Sequence, residues 1–205
     1  MKRSAVLLPL LLLPLLGSGL GACSCSTEEG TPTAPAATIP PGGGAEDITA
    51  EVWADNWFSM YAGGVLVGED SVPITTERSF NAETFTFSAE RPFVLATMMK
   101  DFKENDTGVE YIGENNQQMG DGGFIAQLKS ASGGLIAVSD SEWVCLVIHT
   151  APLNKDCEKD SNPSETCQFE SLEEPDGWAD PDFDDSAWTA ATEYSEADVS
   201  PKDGY

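Results

Sequence analysis

After residue 48, the apolar residues of this chain come in short runs separated by glycine-rich turn segments. Residues 84–88 alternate apolar and polar side chains, which is typical of a strand with one buried face. Residues 93–99 are apolar apart from Thr97, as expected of a central strand covered on both faces. No stretch of helical length repeats its apolar residues with the period of a helix. These runs restrict the chain to an all-β fold of about seven strands.

Two pairs of runs also predict β-hairpins, because each pair flanks a tight turn: Gly63-Gly64 in one case and residues 132–134 in the other. Strands joined in this way pair antiparallel, and the expected architecture is a β-sandwich. The long segments 101–120 and 151–182 are predicted loops, where such scaffolds usually carry function. The runs assigned to the two hairpins and the last strand are residues 52–54, 57–61, 65–67, 124–128, 135–138 and 143–150.

The N-terminus has the features of an export signal. Lys2 and Arg3 precede an apolar run, residues 5–16, that is too short and too rich in proline to span a bilayer. The run leads to Leu20-Gly21-Ala22-Cys23, which resembles the lipobox of bacterial lipoproteins. The resemblance implies that residues 1–22 are removed and that Cys23 carries the lipid. The alternative is an ordinary signal peptide, with Cys23 an incidental thiol.

Residues 23–47 form a predicted tether between this anchor and a head domain, residues 48–205. The segment is rich in threonine, proline, alanine and glycine, and Ile39 is its one large apolar residue. Such a composition cannot build a core. Ser24 follows the cysteine, where inner-membrane lipoproteins of familiar Gram-negative bacteria carry aspartate. We therefore expect a lipid-anchored protein of the bacterial cell envelope, placed at the outer membrane.

The charge balance excludes one class of partner. The chain has 35 acidic and 10 basic residues, and removal of residues 1–22 leaves a formal charge of −27. Nucleic acid is not an expected partner, because phosphate binding needs a basic patch. Anionic lipid would also repel the head, so attachment to a membrane depends on the acyl chains.

Two segments of the head resemble a known family. Residues 54–58 (Ala-Asp-Asn-Trp-Phe), followed by Met60-Tyr61 and the Gly63-Gly64 turn, look like the first conserved strand and turn of galactose-binding-like jelly-roll modules. Gly177-Trp178 and residues 183–188 (Phe-Asp-Asp-Ser-Ala-Trp) are similar to a later loop of the same modules. Modules of this kind accompany many bacterial glycoside hydrolases, including rhamnosidases.

The resemblance implies a jelly-roll β-sandwich in which both motifs are architectural, not catalytic. The sequence departs from the family pattern at the turn, where Ala62-Gly63-Gly64 replaces the usual Asn-Gly. Such modules also close with another long strand after the second motif. The resemblance thus implies that the head completes its fold differently or lacks its last strand within residues 48–205.

Catalytic constellations are scarce, and no cofactor is expected beyond a structural Ca²⁺. His149 is the one histidine, and no serine has the setting of a hydrolase nucleophile. Cys145 and His149 lie on one face of a predicted strand and could supply two metal ligands. The alternative is that His149 is a structural residue at the end of the strand and that Cys145 forms a disulfide. Export favours disulfides, and we expect Cys157–Cys167 to close a small loop, with Cys145 bonded to either of them as the competing arrangement.

Two polar clusters are candidate ligand sites. Asp180, Asp182 and Asp184 alternate as in the first half of a calcium loop, although Asp185 stands where that template has glycine. A solvated turn is the alternative for these carboxylates.

A second polar cluster combines amides and carboxylates with an aromatic ring, a combination that is typical of sugar-binding sites. The residues of this second cluster are Asn105, Asp106, Tyr111, Asn115, Asn116 and Asp121.

The sequence therefore predicts a lipid-anchored, exported protein that displays a non-catalytic binding module for a glycan. The alternative is a structural lipoprotein whose head docks on a surface protein. An enzyme is the least favoured class.

Overall fold

The longest strand, Glu46–Asp55, buries every second side chain: Ile48, Ala50, Val52 and Ala54. Successive side chains of a strand point to opposite faces, so this alternation lays one apolar face on a core.

The computed structural model describes residues 3–7, 23–25, 44–74, 81–120 and 122–199. Its strands are β1 Arg3–Leu7, β2 Cys23–Cys25, β3 Glu46–Asp55, β4 Trp57–Ala62, β5 Val65–Glu69, β6 Ala82–Ala89, β7 Leu95–Lys100, β8 Val109–Glu110, β9 Gln118–Met119, β10 Gly123–Ser130, β11 Leu135–Val138, β12 Val144–Val147, β13 His149–Thr150, β14 Glu170–Ser171 and β15 Thr189–Glu193. Its helices are a 3₁₀ helix, Lys155–Lys159, and two α-helical turns, α1 Pro163–Thr166 and α2 Glu196–Val199.

The strands form two main sheets. One has seven strands in the order β2-β15-β12-β1-β7-β4-β5, and the other has four in the order β11-β10-β3-β6. Two short ladders, β8 with β9 and β13 with β14, lie within the segments predicted as loops. Among the described strands, the ladders are antiparallel except for the two that β1 makes with β7 and β12.

The main core lies between these two sheets. Buried residues of both sheets form one cluster, at whose centre the Phe124 ring lies 6.4 Å from Phe58 and 5.9 Å from Trp143, measured between ring centroids. The Trp143 Nε1 donates to the Val138 carbonyl at 2.8 Å, so the buried indole keeps a hydrogen bond. The two sheets therefore pack face to face, which confirms the all-β sandwich that the sequence predicts.

A second core covers the other face of the seven-stranded sheet. Trp178 is buried there with Ala96, Met98 and Ile148, and its ring meets Tyr61 edge-on at 5.3 Å. The Trp178 Nε1 donates to Glu174 Oε1. The irregular segment 173–188, which holds the second motif, is thus fastened to the sheet by aromatic packing.

Both hairpins form as predicted. Gly63 and Gly64 have φ angles of 58° and 83°, the left-handed values that a two-residue hairpin turn requires, and β4 pairs antiparallel with β5. Strand β10 pairs antiparallel with β11 across the second turn. The alternating run lies in β6, and most of the apolar run 93–99, from Leu95 onwards, lies in β7, whose first five residues are buried.

The structure differs from the sequence interpretation in three places. Cys23–Cys25, the start of the predicted tether, is strand β2 and pairs with β15, which would otherwise be an edge of the sheet. The predicted strand 143–150 breaks at Ile148, whose carbonyl accepts the Leu172 N–H at 2.8 Å. Arg3–Leu7, inside the predicted signal peptide, pairs as β1; residues 8–22 lie outside the described residues.

Candidate binding cavity beside strand β12

A cavity of about 250 Å³ opens where β12 runs on into β13. One wall is the β13–β14 ladder, in which Thr150 lies opposite Glu170 and His149 opposite Ser171. The other wall is the start of β15, where Thr189 pairs with Cys145. The lining residues are Cys145, Leu146, Val147, Ile148, His149, Thr150, Glu170, Leu172, Ala187, Trp188 and Thr189.

Trp188 supplies the aromatic surface of this cavity. The Trp188 N–H donates to the Asp185 carbonyl at 2.9 Å, which closes a turn, and the ring packs against Phe183 at 5.4 Å. Asp184 Oδ1 accepts the Ser186 N–H at 3.1 Å and fixes the same turn. Trp188 is half-buried: it packs against the second core and also lines the cavity.

The polar groups of the lining are few and varied. Glu170 brings an exposed carboxylate, and Thr150 and Thr189 bring hydroxyls, among leucine, isoleucine and tryptophan side chains. Small-molecule sites typically combine an apolar wall with a few such groups. An aromatic face beside hydroxyl and carboxylate acceptors suits a ligand with one C–H face and several hydroxyls. The described lining has no serine and no free cysteine to act as a nucleophile.

His149 is buried behind this wall. Its ring stacks on Phe169 at 5.8 Å, and its Nε2 lies 3.7 Å from Asp106 Oδ1, too far for a hydrogen bond. Burial and the nearby Lys103 ammonium lower the pKa of His149, which keeps the imidazole neutral at pH 7. Lys103 donates to Asp106 Oδ1 at 2.6 Å and lowers the pKa of that carboxyl.

None of the described members of the predicted sugar-binding cluster lines the cavity. Asn105 Oδ1 accepts the N–H and hydroxyl of Thr107, and Asn105 Nδ2 donates to Ser164 Oγ at 3.1 Å. Its side chain is thus used to shape a loop and join it to α1.

Of the other members of that cluster, Asp106 precedes the β8–β9 hairpin and lies beside His149, whereas Tyr111, Asn115 and Asn116 lie on the hairpin itself. Tyr111 adopts a positive φ of 53° and its carbonyl accepts the Glu114 N–H, while Asn115 and Asn116 are exposed at the tip. Asp121 lies outside the described residues.

The predicted calcium ligands are also used in turns. Asp180 packs beside Gly64 and Gly177, Asp182 is exposed, and Asp184 accepts its own turn's N–H group. Within the described residues, no group of three or more histidine, cysteine, aspartate or glutamate side chains is arranged to hold a metal ion. The structure therefore does not bring these three carboxylates together as ligands.

The predicted Cys157–Cys167 disulfide is confirmed. Cys157 and Cys167 form a disulfide with a Cα–Cα distance of 5.2 Å, buried against Val109 and Ile112. Cys145 is disulfide-bonded as well, to neither of these two, so the competing arrangement is wrong. Its oxidation also removes the thiolate that a metal site with His149 would need.

Sequence reasoning missed most of the cavity. Glu170 stands in a polar stretch that reads as loop, and the β13–β14 ladder that places it is only two residues long on each side. Trp188 lies in the second motif, and its aromatic side chain among polar residues is the one signal that the sequence offers for this site. The convergence of residues 145–150, 170–172 and 187–189 depends on pairing between distant segments.

Taken together, fold and cavity define an all-β sandwich with one candidate ligand site beside β12. No protein-family model and no curated protein sequence matches the chain. The solved structure of Streptomyces avermitilis α-L-rhamnosidase, complexed with L-rhamnose, matches at 20% identity with a TM-score of 0.35. The match covers 76% of this chain and 12% of that chain. A likeness this slight is not evidence of a shared fold, ligand or activity.

No helix among the described residues is long and apolar enough to cross a membrane.

Proposed function

We propose that this chain is an exported bacterial lipoprotein whose β-sandwich is a non-catalytic, carbohydrate-binding module of jelly-roll type. The observation that carries the binding role is the cavity beside β12, which is lined by Trp188, Glu170 and two threonines, Thr150 and Thr189. A sugar ring stacks its C–H face on an aromatic side chain and donates its hydroxyls to carboxylates. The lipid on Cys23 would hold the module at the envelope, at the outer membrane.

Glycan binding is tested with the mature protein on an array of bacterial, plant and animal polysaccharides. We expect saturable binding to at least one glycan and a loss of about tenfold or more in affinity for Trp188→Ala and Glu170→Gln. Trp188→Phe keeps an aromatic face and restores binding in part. Trp53→Ala, on the half-buried outer face of β3, is the matched control and binds like the wild type.

Failure of the wild type on every glycan would reject the carbohydrate role. It would favour the alternative of a structural or protein-docking lipoprotein. Equal binding by the wild type and Trp188→Ala would move the site away from this cavity.

Lipid attachment is tested separately, by labelling cells with a tagged fatty acid. The wild type should incorporate the label and sediment with the outer membrane, whereas Cys23→Ser should remain unlabelled and keep residues 1–22. Label on the Cys23→Ser variant would place the lipid elsewhere, and absence of label on the wild type would reject the anchor.

A further inference from the structure

One strand of the seven-stranded sheet, β1, differs from the others in the direction of its pairing. Strand β1 lies between β7 and β12 and pairs in parallel with both, through Leu95–Met99 on one side and Val144–Val147 on the other. The other ladders of this sheet are antiparallel. Strands β7 and β12 therefore run in the same direction, and β1 fills the position between them.

This position, which we call the β7–β12 slot, is apolar on both faces. Leu95 and Met99 belong to the core between the sheets, together with Cys145 of β12. Ala96 and Met98 belong to the second core, and Leu146 of β12 packs against it. A strand in the slot is therefore covered on both sides and must be apolar or small at every central residue.

One buried polar atom also points to an incoming strand. Thr97, at the middle of β7, is fully buried, and its Oγ1 has no hydrogen-bond partner among the described residues. A threonine or serine placed opposite it on a neighbouring strand would satisfy that hydroxyl.

Under the lipoprotein proposal, on which this inference rests, residues 1–22, and β1 with them, are removed. Two strands that both pair with a third lie about 9–10 Å apart, which is too far for them to pair directly. Removal of β1 would leave the facing backbone N–H and C=O groups of β7 and β12 without partners at the centre of a sheet. Buried backbone groups in that state are strongly unfavourable.

Two other segments of the chain are poor replacement strands. The segment 26–43 is interrupted by Pro32, Pro35, Pro40 and Pro41, and proline cannot donate to a ladder. Residues 194–205 combine acidic side chains with Pro201 and have Val199 as their one aliphatic residue larger than alanine.

We propose that the β7–β12 slot of the mature protein binds an extended segment of a partner polypeptide, which pairs with both strands and completes the sheet. This is β-strand addition, in which backbone hydrogen bonds give affinity and the flanking pockets select small or apolar side chains. The inserted segment runs antiparallel to β7 and β12, because that direction makes the whole sheet antiparallel. Basic residues flank it, because they complement the charge of −27 on the mature chain.

The experiment uses the wild-type protein made with its own leader and purified from membranes, with its mass measured to verify removal of residues 1–22. The probe is a short fluorescent peptide in which threonine and valine alternate between two terminal lysines, with a photo-crosslinker at its N-terminus. The same peptide with a central proline is the matched control peptide. The Cys23→Ser precursor, which keeps the leader, is the matched control protein.

We expect the alternating peptide to bind the mature protein saturably and the proline peptide not to bind. Backbone amides of β7 and β12 should exchange with deuterium about tenfold or more slowly once the peptide is bound. The crosslinker should mark the β7 end at Met99 and Lys100, as an antiparallel strand requires. The Cys23→Ser precursor should not bind, because β1 occupies the slot.

Equal protection of the β7 and β12 amides with and without peptide would overturn the proposal, as would equal binding by the precursor. Crosslinks at Leu95 would overturn the antiparallel direction. A wild-type mass that includes residues 1–22 would instead reject the lipoprotein proposal, and with it the open slot. If residues 1–22 are removed and the β7 and β12 amides are nevertheless protected without peptide, the slot proposal is rejected and the lipoprotein proposal stands.

Discussion

At the scale of single residues, the buried imidazole of His149 is the group with the clearest pH dependence. Burial and Lys103 lower its pKa in the folded protein below the ordinary value of 6.5, while Asp106 acts in the opposite direction. The unfolded chain therefore takes up a proton at higher pH than the folded protein does. Well above pH 6.5 both states are neutral at this residue, and the contribution to stability is complete.

We expect the free energy of unfolding to fall as the pH is lowered from 7.5 through the ordinary histidine pKa towards 5.5. In this window most carboxylates stay ionised, so the change reports mainly on His149. Urea unfolding at several pH values measures it. The variant His149→Gln, which has no titrating ring, should flatten the dependence between pH 5.5 and 7.5, and an unchanged slope in that variant would assign the effect to another group.

The Cys157–Cys167 disulfide is a second feature of this scale. Its cysteines are separated by 10 positions, and it closes a polar loop that has little apolar surface of its own. Loop-closure entropy alone predicts that the double variant Cys157→Ser/Cys167→Ser loses about 2–3 kcal/mol of unfolding free energy. Ser161→Ala, exposed in the same loop, is the control and should change stability by less than about 0.5 kcal/mol. An equally stable double variant would show that the loop is ordered by other contacts.

At the scale of elements, segment 173–188 packs on one face of the seven-stranded sheet. Gly177 has a φ of 70°, and a Cβ there would come within 2.9 Å of Asp180 Oδ2, so the turn before Trp178 requires glycine. Trp178 then enters the second core beside Tyr61. The motif that the sequence presents as architectural thus has an identifiable packing role.

Trp178→Ala should lower the free energy of unfolding by about 3–5 kcal/mol, because it empties the centre of the second core. Val65→Ala, which is 65% exposed at the β4–β5 hairpin, is the matched control and should cost less than about 0.5 kcal/mol. Guanidinium unfolding followed by circular dichroism measures both. A small loss for Trp178→Ala would mean that segment 173–188 is fastened mainly by other residues.

At the scale of the whole molecule, net charge opposes folding. The mature chain would carry 35 acidic and 8 basic residues, and such an excess destabilises a compact state by self-repulsion. The described ion pairs, such as Lys129 with Glu51 at 2.6 Å, are few and partly exposed.

We expect the melting temperature to rise when sodium chloride is increased from low to about 0.5 M, since salt screens repulsion over a few ångströms at that concentration. Differential scanning calorimetry in sodium chloride and in an equal osmolality of sucrose separates screening from general solute effects. A melting temperature that fell or stayed constant with salt would show that attractive pairs outweigh the repulsion.

The sequence by itself determined the features that depend on local chemistry. A period of two predicts β6, consecutive glycines give the β4–β5 turn its left-handed φ angles, and cysteines ten positions apart in a polar loop favour their own pairing. The class of fold follows from the same local signals.

Only the tertiary structure decided where distant segments meet. Glu170 and Trp188 line one cavity because β13 pairs with β14 and β12 pairs with β15, and neither two-residue contact leaves a pattern in the chain. The burial of His149 and the β7–β12 slot also depend on long-range pairing. Local preferences fix the strands, but the order in which strands lie side by side is set by how their apolar faces are jointly covered.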